Sequence, residues 1–86
     1  MPFTLRYTPE AQERLTVLAR AGLKGLAERT LLKIAANPYH GTKLVGKLTG
    51  LYAARVTRRY RVLYLIESEQ QAVTVLDIAH RRESYR

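Results

Sequence analysis

Hydrophobic and polar positions along this chain change their period twice. Residues 3–7, FTLRY, alternate and predict a short strand. At Thr8-Pro9-Glu10 the chain has the chemistry of a helix start. A threonine hydroxyl can accept from a free N–H of the first turn, proline is tolerated at the first helical position, and an acid suits the positive end of the helix dipole. A helix over 9–21 is expected, with Leu15, Leu18 and Ala19 on one face and Gly22 as its stop. Leu23, Leu26, Ala27, Thr30, Leu31 and Ile34 then form one stripe of a second helix, with Lys24, Glu28, Arg29 and Lys33 outside it. Asn37-Pro38 ends that helix, because the residue before a proline is pushed out of helical backbone. So short a link predicts an antiparallel helical hairpin.

Residues 38–50, PYHGTKLVGKLTG, hold three of the five glycines and read as loop. Beyond them the period falls to two. LYAARVT, YRVLYLI and QAVTVLDIAH predict strands, with turns at Arg58-Arg59 and at ESEQ. YRVLYLI is apolar on both faces apart from Arg61, which marks it as the middle strand, covered by the helices on at least one side. The expected fold is α+β: a small twisted antiparallel sheet in the order β-α-α-β-β-β, with a two-helix hairpin packed on one face. At 86 residues it is a single domain, 1–86.

Composition narrows the chemistry. No cysteine is present, so thiol nucleophiles, disulfides and Cys-ligated metals are excluded. The only histidines are His40 and His80, too few for a multi-His metal site. Neither a metal nor a small-molecule cofactor is expected. No apolar run approaches the roughly 20 residues of a membrane span, and MPFTLRYTPE lacks the build of a signal peptide. A cytoplasmic protein without a membrane partner is expected.

Charge carries more information. Fifteen Lys+Arg oppose seven Asp+Glu, a net of +8, and between Glu28 and Glu67 there is no acid at all. Arg29, Lys33, Lys43, Lys47, Arg55, Arg58, Arg59 and Arg61 fall in that interval, and five of the six tyrosines lie beyond residue 38. Interleaved cations and aromatics suit a polyanion, as a nucleic-acid surface requires; the alternative is a merely basic domain whose tyrosines are core.

Side chains two apart on a strand share a face. Ala53 and Arg55 are one set, opposed to Tyr52, Ala54 and Val56; Arg61, Leu63 and Leu65 oppose Tyr60, Val62, Tyr64 and Ile66. A helix-covered face rejects unpaired charge, so Arg55 and Arg61 are expected together on the uncovered face. Two adjacent guanidiniums suit a phosphate, which each can grip in bidentate fashion. The alternative is that one pairs with Asp77 or Glu83 and the other is solvated. The last strand is expected to deliver His80, Arg81, Arg82 and Tyr85 to the same rim. His40 is expected to face solvent, and Arg58-Arg59 to form a hairpin tip.

Gly50-Leu51-Tyr52…Arg55, Tyr60-Arg61…Tyr64 and Ala79-His80-Arg81-Arg82…Tyr85 resemble the closing motifs of the RelE/ParE superfamily of bacterial toxin–antitoxin toxins, on the RelE side. The likeness spans the chain in element order and is specific in about its second half. It implies a metal-free mRNA interferase that cuts messenger RNA in the ribosomal A site and is silenced by a cognate antitoxin. Such an antitoxin would lay an acidic segment over the basic face. By this resemblance Arg61 holds the scissile phosphate and Arg55 is its basic neighbour. Arg81 is the electrophile or acid, and Tyr85 or His80 serves as base. Lys43, Lys47, Arg58, Arg59 and Arg82 are left as RNA or ribosome contacts. Ala53 departs from RelE, which has a lysine there, so the base stays open between Tyr85 and His80. Two other readings are a ParE-like DNA gyrase poison and a non-catalytic basic RNA-binding domain.

Overall fold

Helix α1 (Pro9–Arg20) begins where the sequence places its cap. The Thr8 hydroxyl accepts from the Ala11 N–H at 3.1 Å and donates to the Leu76 carbonyl at 2.6 Å, so one side chain caps the helix and ties it to the sheet. The computed structural model describes residues 2–80. Gly22, at φ +79°, turns the chain into α2 (Lys24–Ala36), and Asn37 in extended backbone ends it before Pro38. Ala11, Leu18, Ala27, Thr30, Leu31 and Ile34 are buried. Ala19 and Leu26, expected inward, are exposed. Both sit at the rim of their stripes, where a helix lying on a sheet meets solvent.

Five strands, β1 (Thr4–Tyr7), β2 (Thr42–Lys43), β3 (Leu51–Arg55), β4 (Tyr60–Glu67) and β5 (Ala72–His80), form one sheet in the order β1-β5-β4-β3-β2. β4 is the central strand, as its two apolar faces require. The sheet is mixed rather than antiparallel throughout: β1 runs parallel to β5, from Thr4 beside Ala72 to Tyr7 beside Val75. Alternation fixes which face a strand buries and is blind to the direction of a partner some 68 positions away. The second departure lies in 38–50, where the expected loop contains β2 and two single turns of 3-10 helix, Pro38–His40 and Gly46–Leu48.

The core lies between the helical hairpin and one face of the sheet. Val62 and Tyr64 of β4 and Val73, Val75 and Ile78 of β5 meet Ala11, Leu18, Ala27, Leu31 and Ile34. Leu63 pairs with Asp77 but Tyr64 pairs with Val75, so Leu76 is an extra residue on β5. This bulge presents the carbonyl that Thr8 engages.

Candidate functional site

Arg55 and Arg61 are direct partners across the antiparallel β3–β4 pair. Residues so placed point to the same face with Cβ atoms about 4.5–5.5 Å apart. Among the described residues no helix covers their face, since Val62 and Tyr64, of opposite parity, are the ones buried beneath the helices. Arg55 is exposed and Arg61 half-buried. The turn fixes this register. The Val56 and Thr57 N–H groups donate to the Tyr60 carbonyl, and the Thr57 hydroxyl accepts from the Arg59 and Tyr60 N–H groups. On the far side the Thr30 hydroxyl donates to the Arg55 carbonyl at 3.0 Å, pinning the end of β3 to α2.

His80 does not join the pair. It lies opposite Tyr60, whose ring it meets edge-on at 5.3 Å, on the helix-side parity of the sheet. Ala79, buried, is the residue beside Arg61. The bulge is the cause. Strict alternation from Val73 and Val75 would turn Ile78 and His80 toward the open face; the extra residue at Leu76 reverses both. Arg81, Arg82 and Tyr85 lie outside the described residues. Lys43 on the edge strand, Lys47 in a 3-10 turn and Arg58-Arg59 at the hairpin tip are exposed in three separate places.

A feature not legible in the sequence lies beside Arg55. β2 is two residues long and pairs only with Ala53 and Tyr52, so the edge of β3 at Ala54 and Arg55 has no strand neighbour. There a cleft of about 260 Å³ opens between β3, α2 and the turn after α2. α2 and its cap contribute Lys33 and Asn37, the turn contributes His40 and Thr42, and β3 contributes Ala53 and Arg55. The only sequence signal was the acid-free interval itself; nothing local joined Lys33 to His40.

The turn that carries His40 is held from below. The buried Tyr64 hydroxyl donates to the Pro38 carbonyl at 2.6 Å. Burial, then the neighbouring Tyr52 phenol, pushes its pKa up from 10.0 to about 12, while the Gly41 N–H directed at it pulls the other way. Its ring stacks on Tyr52 at 5.8 Å, and Tyr52 meets Tyr39 edge-on at 6.3 Å.

Comparison with known proteins gives a consistent picture. The family model described as the ParE toxin of the type II toxin–antitoxin system, parDE, matches residues 5–85. Toxin RelG of Mycobacterium tuberculosis (strain ATCC 25618 / H37Rv) is 33% identical over 87 residues, spanning 100% of this chain and 99% of that one. The toxin–antitoxin complex RelBE2 from Mycobacterium tuberculosis contains a chain that superposes with a TM-score of 0.80 at 32% identity, covering 94% of this chain and 93% of that one. In the intact E. coli RelBE complex the match has a TM-score of 0.74 at 16% identity, over 90% and 94% of the two chains, a likeness of fold alone.

Proposed function

This chain belongs to the RelE/ParE superfamily of type II toxin–antitoxin toxins, and from that premise we propose that it is a ribosome-dependent, metal-independent mRNA endonuclease that inhibits translation. The observation that carries this is the Arg55–Arg61 pair, two arginines directly opposite one another on the face of the sheet away from the helices. Like charges directly opposite one another on a sheet are destabilising. Two arginines brought together in this way suit one bound phosphodiester, which a guanidinium can grip in bidentate fashion.

In the proposed reaction the 2′-oxygen of one nucleotide attacks the adjacent phosphorus. The new P–O bond closes a 2′,3′-cyclic phosphate, the P–O5′ bond breaks, and the 5′-oxygen leaves as a hydroxyl. Arg55 and Arg61 offset the negative charge that builds on the non-bridging oxygens. Neither is a base, since guanidinium pKa values lie above about 12. Arg81 is assigned to the leaving oxygen. With His80 turned to the Tyr60 side, the base falls to Tyr85, which also orients the nucleotide. Cations near a phenol lower its pKa, the shift that this role needs. The ribosome supplies much of the substrate alignment, which by itself lowers a barrier by several kcal/mol. The RelBE2 relative was solved as a toxin–antitoxin complex, which supports a cognate antitoxin here; the antitoxin we propose lays an acidic segment over the basic face.

The test is expression with and without the neighbouring antitoxin while mRNA 5′ ends are mapped. Codon-positioned cuts, unaffected by chelator in a purified translation system, are expected. In that system Arg61→Ala should lose about 10²–10³-fold in rate, the scale of removing one oxyanion donor. His80→Ala should cut at the wild-type rate, and a loss comparable to that of Arg61→Ala would return His80 to the site. The ParE name of the matching family model favours one second reading, a DNA gyrase poison. It predicts DNA damage with intact transcripts.

A further inference from the structure

We infer that the cleft at the uncovered edge of β3 is a second RNA subsite, which receives the phosphate and ribose of a nucleotide flanking the scissile bond. This rests on the endonuclease reading above and extends it from one phosphate to a track. Lys33 of α2, His40 of the intervening turn and Arg55 at the end of β3 all line the cleft. Among the described residues no acid lines it and no carboxylate forms an ion pair with any of the three. Asn37 and Thr42 add an amide and a hydroxyl.

Arg55 belongs to both places. It stands opposite Arg61 on the open face and lines the cleft at the sheet edge. A chain whose phosphate is gripped between the arginines therefore passes over β3 into the cleft without leaving positive charge. Size separates a chain from a free ligand. At about 260 Å³ the cleft is just below the roughly 300–1,000 Å³ of small-molecule sites, and it is open to one side. It fits one unit of a polymer rather than a metabolite.

The test is equilibrium binding of fluorescent single-stranded RNA, a dinucleotide and a hexanucleotide, each with a 2′-deoxy residue at every attacking position. The proteins are wild type, Lys33→Ala/His40→Ala, Lys33→Arg and Arg61→Ala. Lys33 and His40 are exposed, so the fold is retained and thermal melts check it. Wild type should hold the hexanucleotide more tightly than the dinucleotide. The double variant should lose that advantage, about tenfold, with a salt slope smaller by roughly 0.7 per lost phosphate contact, and should bind the dinucleotide normally. Lys33→Arg should restore it. Arg61→Ala should weaken both lengths. If the double variant binds both lengths as wild type does while Arg61→Ala weakens them, the subsite is overturned and the endonuclease reading stands. If Arg61→Ala changes neither length, both fall. If only a polyglutamate peptide depends on Lys33 and His40, the cleft serves an acidic protein segment and the RNA assignment is overturned.

Discussion

The phosphate role proposed for Arg55 and Arg61 can be checked by stability as well as by cleavage. Cross-strand like-charge pairs cost about 0.2–1 kcal/mol. Arg61→Ala should therefore leave the urea midpoint unchanged or raise it while cleavage is lost. A fall of more than about 1 kcal/mol would make the arginine structural. Tyr64 and Gly41 behave in the opposite way. A Cβ at Gly41 would stand 2.0 Å from the Tyr64 hydroxyl and 3.0 Å from the Ala53 carbonyl, and φ at Gly41 is an ordinary −68°, so the demand is for space and not for backbone freedom. Gly41→Ala should cost about 1–3 kcal/mol by overpacking. Tyr64→Phe should cost about 1–3 kcal/mol, because the Pro38 carbonyl loses its donor. The double variant should be less destabilised than the sum, since the second change removes the clashing atom. Tyr64 also sets an alkaline limit. Its folded pKa lies above that of the unfolded chain, so unfolding releases a proton between pH 10 and about 12. Stability is full below pH 10 and falls through that window, more steeply in wild type than in Tyr64→Phe.

At the scale of elements, the helical hairpin and the sheet are joined by few polar contacts, and Thr8 makes two of them. Thr8→Ala should lose about 1 kcal/mol for the cap alone, and more because the bulged Leu76 carbonyl is left without its donor. Thr8→Ser, which keeps both bonds, should recover most of it; chemical denaturation measures each. Both helices and the four strands outside 38–50 were legible to within a residue or two, because caps, periods and turn residues are local signals, whereas β2 and the 3-10 turns of 38–50 were not. Ala19 and Leu26 were misplaced, since a stripe read from periodicity has no knowledge of where the neighbouring layer ends. The Leu76 bulge was invisible for a related reason. Nothing in AVTVLDIAH says which residue a partner strand will skip, and that one skip decides the face of His80.

Over the whole molecule the cations of the acid-free interval are spread over several places: the arginine pair, the cleft, the edge strand, a 3-10 turn and the hairpin tip. Lys47 stands apart from the reacting site in a 3-10 turn and is proposed as a ribosomal RNA contact. Lys47→Ala should weaken ribosome binding with a salt slope reduced by about one, and leave the rate at saturating ribosomes unchanged. An unchanged slope removes Lys47 from the interface. The sequence alone determined the two helices, the meander, the basic half and the shared face of Arg55 and Arg61. Each follows from local sterics, from a two- or three-to-four-residue period, or from counting charges. The tertiary structure alone decided the parallel seat of β1, the place of His80 opposite Tyr60 and the cleft that Lys33, His40 and Arg55 line. Those depend on pairing between segments far apart in the chain, where the winning register is the one that buries the most apolar surface, and no short window of residues contains that comparison.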